Sequence, residues 1–372
     1  SRLSGGMETI DSLKSYKLSE TADWLAYQRG SKKDSMLYIR SLDGMQQDSF
    51  PAVSDFGFAQ KGNVLYVVSN SVLYTYIPQK GNNRISDKKG VFKKIAFNEN
   101  GSKLAYLFCP HKDSAATRSS LYLAENNTPG KLIAERGDKE FPASWIISEN
   151  APLYFSENAS RLFFGTAPEP KQKDTTLLAE NRPDVQVWSW DEKVQYTQQS
   201  FNKATDLKRS YTAIYNLGSG RLLQLATEEL PTLQTADEGN AIWALLSTTR
   251  PYGTQSMWTA RQFHDIYIIN LETGERRQEK SPSYMRFSPK GKYTYWYQDQ
   301  DSSWYTRSTA DGKEYRLTTP QTFAAWDEDN DVPDYPSPYG IAGWTDDDQS
   351  VLIKDRYDIW KFDPIAASSP VN

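Results

Sequence analysis

One unit recurs along the chain: an aromatic or apolar residue, a short polar turn that often carries Gly, then an alternating strand. Copies open at Tyr16, Phe58, Phe97, Phe155, Leu233, Phe287 and Trp344. The turn step, Asn-Gly or Lys-Gly in the clearest copies, supplies the positive φ of a tight hairpin, and the flanking alternation turns one face inward. Most copies are followed by an apolar-Tyr-apolar strand and a second polar turn. Tyr38 precedes Asp43-Gly44, Tyr74 precedes Lys80-Gly81, and Tyr122 precedes Pro129-Gly130. Tyr215 precedes Gly218-Ser-Gly220, Tyr267 precedes Thr273-Gly274, and Tyr305 precedes Asp311-Gly312.

Two hairpins per unit make a four-stranded blade. The first turns fall near residues 22, 62, 101, 159, 239, 291 and 348, in steps of 40, 39, 58, 80, 52 and 57. The short steps match the ~40–50 residues of a propeller blade, and the long ones need insertions or an extra strand pair. The expected fold is therefore all-β, a β-propeller of four-stranded blades, seven in number, or eight if a long step hides one. Residues 1–372 read as a single propeller domain. A β-sandwich array is the rival architecture, which the 40-residue repeat disfavours. The 80-residue step holds a polar excursion between Pro168 and Pro183 and an expected strand at Val185-Gln-Val-Trp-Ser-Trp190. No window shows a clear helical period.

Composition narrows the chemistry. The chain carries 43 Lys and Arg against 47 Asp and Glu, a net charge of −4, so no cationic excess exists for a nucleic-acid partner. No apolar run approaches the ~18 residues of a membrane span. Aromatic residues make up 13% of the chain, in keeping with strands whose large side chains pack on pleated faces. There is one cysteine, Cys109, and there are two histidines, His111 and His264. Cys109 ends a strand beside Pro110 and reads as a buried structural thiol. No Gly-x-Ser-x-Gly elbow occurs; Gly253-Thr-Gln-Ser-Met257 lacks the second Gly. Acids two apart at Asp327, Asp329 and Asp331 suggest a cation loop. Val332 and Pro338, however, stand where an EF-hand needs Gly and Glu, so a solvated loop is the better reading. Asp346-Asp-Asp348 reads as the turn of the seventh repeat. No catalytic residue, cofactor-binding residue or metal ligand is assigned.

The C-terminal part is the most specific. Asp331-Val-Pro-Asp-Tyr-Pro-Ser-Pro-Tyr-Gly-Ile-Ala-Gly-Trp-Thr-Asp-Asp-Asp348, then Asp355-Arg-Tyr-Asp-Ile-Trp-Lys-Phe-Asp-Pro364, resembles a segment of the prolyl oligopeptidase-family serine peptidases of Bacteroidetes. These are the dipeptidyl-aminopeptidase and acylaminoacyl-peptidase-like enzymes. Asp184-Val-Gln-Val-Trp-Ser-Trp190, Ile214-Tyr-Asn-Leu217, Leu222-Leu-Gln-Leu225 and Leu121-Tyr-Leu123 are similar to the same family. The resemblance implies a propeller followed by an α/β-hydrolase domain that carries the catalytic Ser, Asp and His; no counterpart of that domain stands in these residues. It further implies a fragment of a longer, exported polypeptide, periplasmic or secreted. The propeller would gate and position peptide substrates for the hydrolase domain of the same chain. A homodimer is left open. The alternative is a stand-alone TolB-like propeller serving as an interaction platform; a glycan-active propeller is a third reading.

Overall fold

The computed structural model describes residues 9–30, 35–110, 118–170, 188–259, 261–279 and 284–372. They form seven consecutive antiparallel sheets in which strands pair with their neighbours in sequence, save that in the fourth Trp145–Ser148 and Tyr154–Phe155 both pair with Arg161–Pro168, and this is the construction of β-propeller blades. The first sheet comprises Leu13–Leu18, Trp24–Arg29, Met36–Ser41 and Gln47–Pro51. The second comprises Val53–Phe58, Leu65–Ser69, Val72–Ile77 and Gly81–Ser86, and the third Val91–Phe97, Lys103–Cys109, Ser120–Glu125 and Lys131–Ala134. The backbone groups into two compact units, and the fourth repeat is divided between them. Trp145–Ser148, Tyr154–Phe155 and Arg161–Pro168 belong to the first unit; Tyr211–Asn216 and Arg221–Gln224 belong to the second. The fifth sheet is Thr232–Thr235, Trp243–Thr248, Asp265–Asn270 and Arg276–Glu279, and the sixth Arg286–Phe287, Tyr293–Gln298, Ser303–Ser308 and Glu314–Arg316. The seventh has three strands, Ile341–Trp344, Val351–Lys354 and Ile359–Phe362, and Val371 forms one further bridge with Lys361. Among the described residues no helix is long and apolar enough to cross a membrane.

Six of the seven predicted first turns lie between the first and second strands of a sheet, and the turn near residue 159 lies between Tyr154–Phe155 and Arg161–Pro168. Each holds a residue in the left-handed region: Ala22, Gly62, Gly101, Ala159, Gly239, Gly291 and Asp347. The second turns follow the same rule at Gly44, Gly81, Gly220, Gly274 and Gly312. The third sheet departs from it. There Asn126 and Asn127 take the positive φ, and Gly130 serves a different need. A Cβ on Gly130 would lie 2.3 Å from the Tyr106 hydroxyl, so its lack of a side chain admits a buried tyrosine.

The recurring tyrosine of the third strand pairs with an aromatic residue on the second. Tyr38 stacks on Tyr27, Tyr122 on Tyr106 and Tyr305 on Trp296, with ring centroids 5.3, 5.3 and 5.5 Å apart. These residues stand directly opposite one another in the ladder, where cross-strand aromatic pairs contribute roughly 0.2–1 kcal/mol each. The core lies between neighbouring sheets. Leu37, Ile39 and Phe50 of the first sheet pack on Phe56, Leu65 and Val67 of the second. Leu245, Ile266 and Ile268 of the fifth pack on Phe287 and Trp296 of the sixth. Cys109 is buried at the end of its strand, as expected.

Two features differ from the sequence reading. Trp188-Ser-Trp190 is not strand but exposed loop and turn, with Trp190 96% exposed; residues 184–187 lie outside the described residues. Helices occur at Tyr196–Asp206 (α1) and Gly253–Thr259 (α2). Neither buries a residue, so neither has the apolar stripe that would have marked it in the sequence.

Candidate functional site

In an up-and-down sheet, the turns joining strands one to two and three to four share one end. The links joining two to three, and one sheet to the next, share the other. The first end is tight throughout. Leu42 N–H donates to Asp23 O, Leu271 N–H to Ile242 O and Thr309 N–H to Lys292 O, lacing the paired turns together. The second end carries the long insertions. In the second unit these are residues 188–210, 249–264 and 317–340, with the short loop 355–358.

These insertions are tied to one another. A Cβ on Gly253, at the start of α2, would lie 2.2 Å from Lys193 O, so the loop before α1 rests directly on α2. The Arg261 guanidinium is ion-paired with Asp334 and lies 4.6 Å from the centre of the Tyr335 ring. Arg356 pairs with Asp329 at 2.7 Å. Burial pushes the Asp299 carboxyl above its ordinary range, against the pull of Arg261. Between α1 and α2 opens a cavity of about 860 Å³ lined by Gln199, Asp206, Arg209, Arg250, Ser256 and Arg261, among others. Guanidinium groups suit the carbonyls and carboxylates of an extended peptide.

A second cavity of about 470 Å³ shares Thr249 and Gln262 with the first. It is lined further by Thr232, Ser247, Thr248, His264, Tyr284 and Arg286. The His264 ring packs 4.9 Å from Tyr284, and the Arg286 guanidinium lies 5.7 Å from the Tyr284 ring centre. Burial holds the His264 imidazole below its ordinary pKa. Its Nδ1 is buried with no hydrogen-bond partner among the described residues, so no hydroxyl is activated at that nitrogen.

The first unit has its own cavity, about 650 Å³, with Lys17, Glu20, Asp55 and Tyr66 in its wall. Asp55 accepts hydrogen bonds from Phe56 N–H (2.9 Å) and the Tyr66 hydroxyl (3.3 Å), and burial raises its pKa. Elsewhere in that unit Glu169 bridges Arg118 and Arg136 at 3.2 and 2.6 Å.

The residues weighed in the sequence scatter. The look-alike at residues 253–257 is helical, so Ser256 stands on α2 and not on a strand-to-helix elbow. His111 lies outside the described residues. Asp327–Val332 is an exposed loop whose Asp329 is taken by Arg356. Asp348 is a turn residue, as read, yet it is 2% exposed. It accepts hydrogen bonds from the Ser288 hydroxyl (2.5 Å) and from the N–H groups of Lys290 (3.0 Å) and Lys292 (3.1 Å) on the sixth sheet's turn. Sequence reasoning missed Arg250, His264, Tyr284 and Arg286. Arg250, His264 and Tyr284 stand in links at the inserted end and Arg286 opens the strand that follows one, and that placement is the only signal that would have found them.

No family model matches the sequence, and no curated protein matches it. Among solved structures, the chain is similar to the tricorn protease, at 11% identity and a TM-score of 0.38 over 82% of this chain. It is similar to TolB from Acinetobacter baumannii (11%, TM-score 0.31, 80% of this chain). The β-propeller domain of the Trilobed protease from Pyrococcus furiosus is a further likeness (11%, TM-score 0.33, 83% of this chain and 84% of that domain). The chain spans 30% of the tricorn protease and 63% of that TolB. These likenesses are distant, and the fold stands on the strand order itself.

Proposed function

We propose that the chain is a non-catalytic propeller of an exported serine exopeptidase of the prolyl-oligopeptidase kind. In this reading it gates and positions peptide substrates for a hydrolase domain of the same polypeptide. The observation that carries the reading is the open cavity of about 860 Å³ walled by insertions 188–210 and 249–264, with Arg261 of its wall ion-paired to Asp334 of insertion 317–340. That volume is on the scale of a bound small ligand or short peptide. The wall offers guanidinium, amide and hydroxyl groups that can hold a peptide backbone without cutting it. The local peptidase-like strings in residues 184–190 and 331–364 point the same way.

Titration of a labelled short peptide into the full chain, followed by fluorescence anisotropy, tests the positioning role. Short peptides bind, folded proteins do not, and Arg250→Ala combined with Arg261→Ala weakens binding by about tenfold or more. Binding of a folded protein with no binding of peptides would refute the reading and leave the interaction-platform alternative. The reading frame is a separate check. If no Gly-x-Ser-x-Gly segment is encoded downstream, the exopeptidase assignment fails even where peptides bind.

A further inference from the structure

The smaller cavity of the second unit differs chemically from the larger one beside it. The larger cavity mixes charges, with Glu192 and Asp206 against Lys193, Arg209, Arg250 and Arg261. The smaller one has no carboxylate among the described residues of its wall, although acids outnumber bases in the chain as a whole. Its wall is instead hydroxyl-rich, with Thr232, Ser247, Thr248, Thr249 and Tyr284, and it carries one guanidinium, Arg286. Tyr284 touches both Arg286, 5.7 Å from its ring centre, and the His264 ring, tilted 51° against it at 4.9 Å. Arg286 has no ion pair among the described residues. A guanidinium in the wall of an acid-free, hydroxyl-lined hollow is placed to meet an anion that the wall itself does not supply.

We propose that this cavity, built from Thr232, Thr248, His264, Tyr284 and Arg286, is a carboxylate site that receives the free C-terminal end of a peptide. The proposal deepens the peptide-positioning reading and rests on it. The two cavities share Thr249 and Gln262, so a peptide lying along the larger one can turn its end into the smaller. The volume of about 470 Å³ suits a chain end and its last side chain, not a folded partner. With His264 held neutral by burial, one guanidinium charge balances a monoanion and leaves a phosphate dianion uncompensated.

The test is isothermal titration calorimetry of the full chain with N-acetyl-Ala-Phe-Ala as the free acid and as the C-terminal amide. Displacement arms use acetate and inorganic phosphate. The acid binds about tenfold tighter than the amide, the difference expected of a charge-assisted guanidinium contact. In Arg286→Gln the acid falls to the affinity of the amide while the amide is unchanged, and Arg286→Lys recovers part of the gap. Arg286 is exposed, so a melt identical to that of the parent chain confirms that the variant folds. Equal binding of acid and amide by the parent chain overturns the carboxylate site and leaves peptide positioning intact. Binding of neither overturns both. Displacement of the acid by phosphate at concentrations where acetate fails overturns the carboxylate assignment in favour of a phosphate.

Discussion

Asp348 and Asp347 stand side by side in one turn, yet their removal should have very different effects. The Asp348 carboxylate is 2% exposed and satisfies the Ser288 hydroxyl together with the N–H groups of Lys290 and Lys292, across the boundary between the sixth and seventh sheets. Leaving a buried donor unsatisfied costs about 1–3 kcal/mol. Asp348→Ala strips the acceptor from three donors and should lower stability by about 3–5 kcal/mol, part of it left-handed strain, since φ at this position is 57°. Asp348→Asn tolerates that φ and keeps one oxygen, so its loss of about 1–3 kcal/mol isolates the acceptor. Asp347 is exposed and meets Lys292 only as a surface ion pair at 2.6 Å, and it shares the left-handed φ of 57°; Asp347→Asn, which tolerates that φ, should shift stability by less than about 0.5 kcal/mol. Guanidinium chloride unfolding followed by tryptophan fluorescence measures all three variants. Hydrogen exchange at the Lys290 and Lys292 amides gives the local readout, and protection there should drop in both Asp348 variants. Asp348→Ala within about 0.5 kcal/mol of the parent, with those amides still protected, would refute the account of this turn as a clamp between sheets.

Gly130→Ala forces a methyl group against the buried Tyr106, whose hydroxyl would lie 2.3 Å away, and should lower stability by about 1–3 kcal/mol in a thermal melt. An unchanged melting temperature would show that the third sheet yields there. Ala159→Gly should raise stability by about 0.5–1 kcal/mol, because Ala159 holds a left-handed φ of 54° that Gly adopts freely; destabilisation would contradict it. The His264 imidazole sits below its ordinary pKa of 6.5 because burial disfavours its charged form. As pH falls from about 6.5 the unfolded chain takes up this proton first, so stability declines until the folded pKa is passed. His264→Gln should lack that component of the decline in melts recorded across pH, and identical pH profiles for the two proteins would sink the assignment.

The two ends of the sheets differ in how strongly the repeat constrains them, and that explains what could be read from the chain. At the tight end every first turn needs a residue of positive φ, and two of the turn glycines also seat directly against the neighbouring sheet. A Cβ on Gly101 would come within 3.0 Å of Val64 and Ala59, and one on Gly291 within 3.1 Å of Ala236 and Ala241. The positive φ admits few residue types at fixed spacing, so all seven turns were legible, even where Ala22 and Ala159 replace Gly. The opposite end bears no such constraint, and segments of any length can be added without disturbing the ladders. Every long step of the repeat, between turns 101 and 159, 159 and 239, 239 and 291, and 291 and 348, holds its extra residues at that end. The irregular spacing was therefore the visible trace of the functional end, although it named no residue. Arg250, His264, Tyr284 and Arg286 are single polar positions contributed by the fifth sheet and the start of the sixth. Only the packing of the two sheets, through Leu245, Ile266, Phe287 and Trp296, brings His264, Tyr284 and Arg286 to the wall of the smaller cavity, while Arg250 lines the larger one. Helix α1 was silent for a related reason: polar all round and burying nothing, it owes its place to the loops it rests on rather than to an apolar stripe.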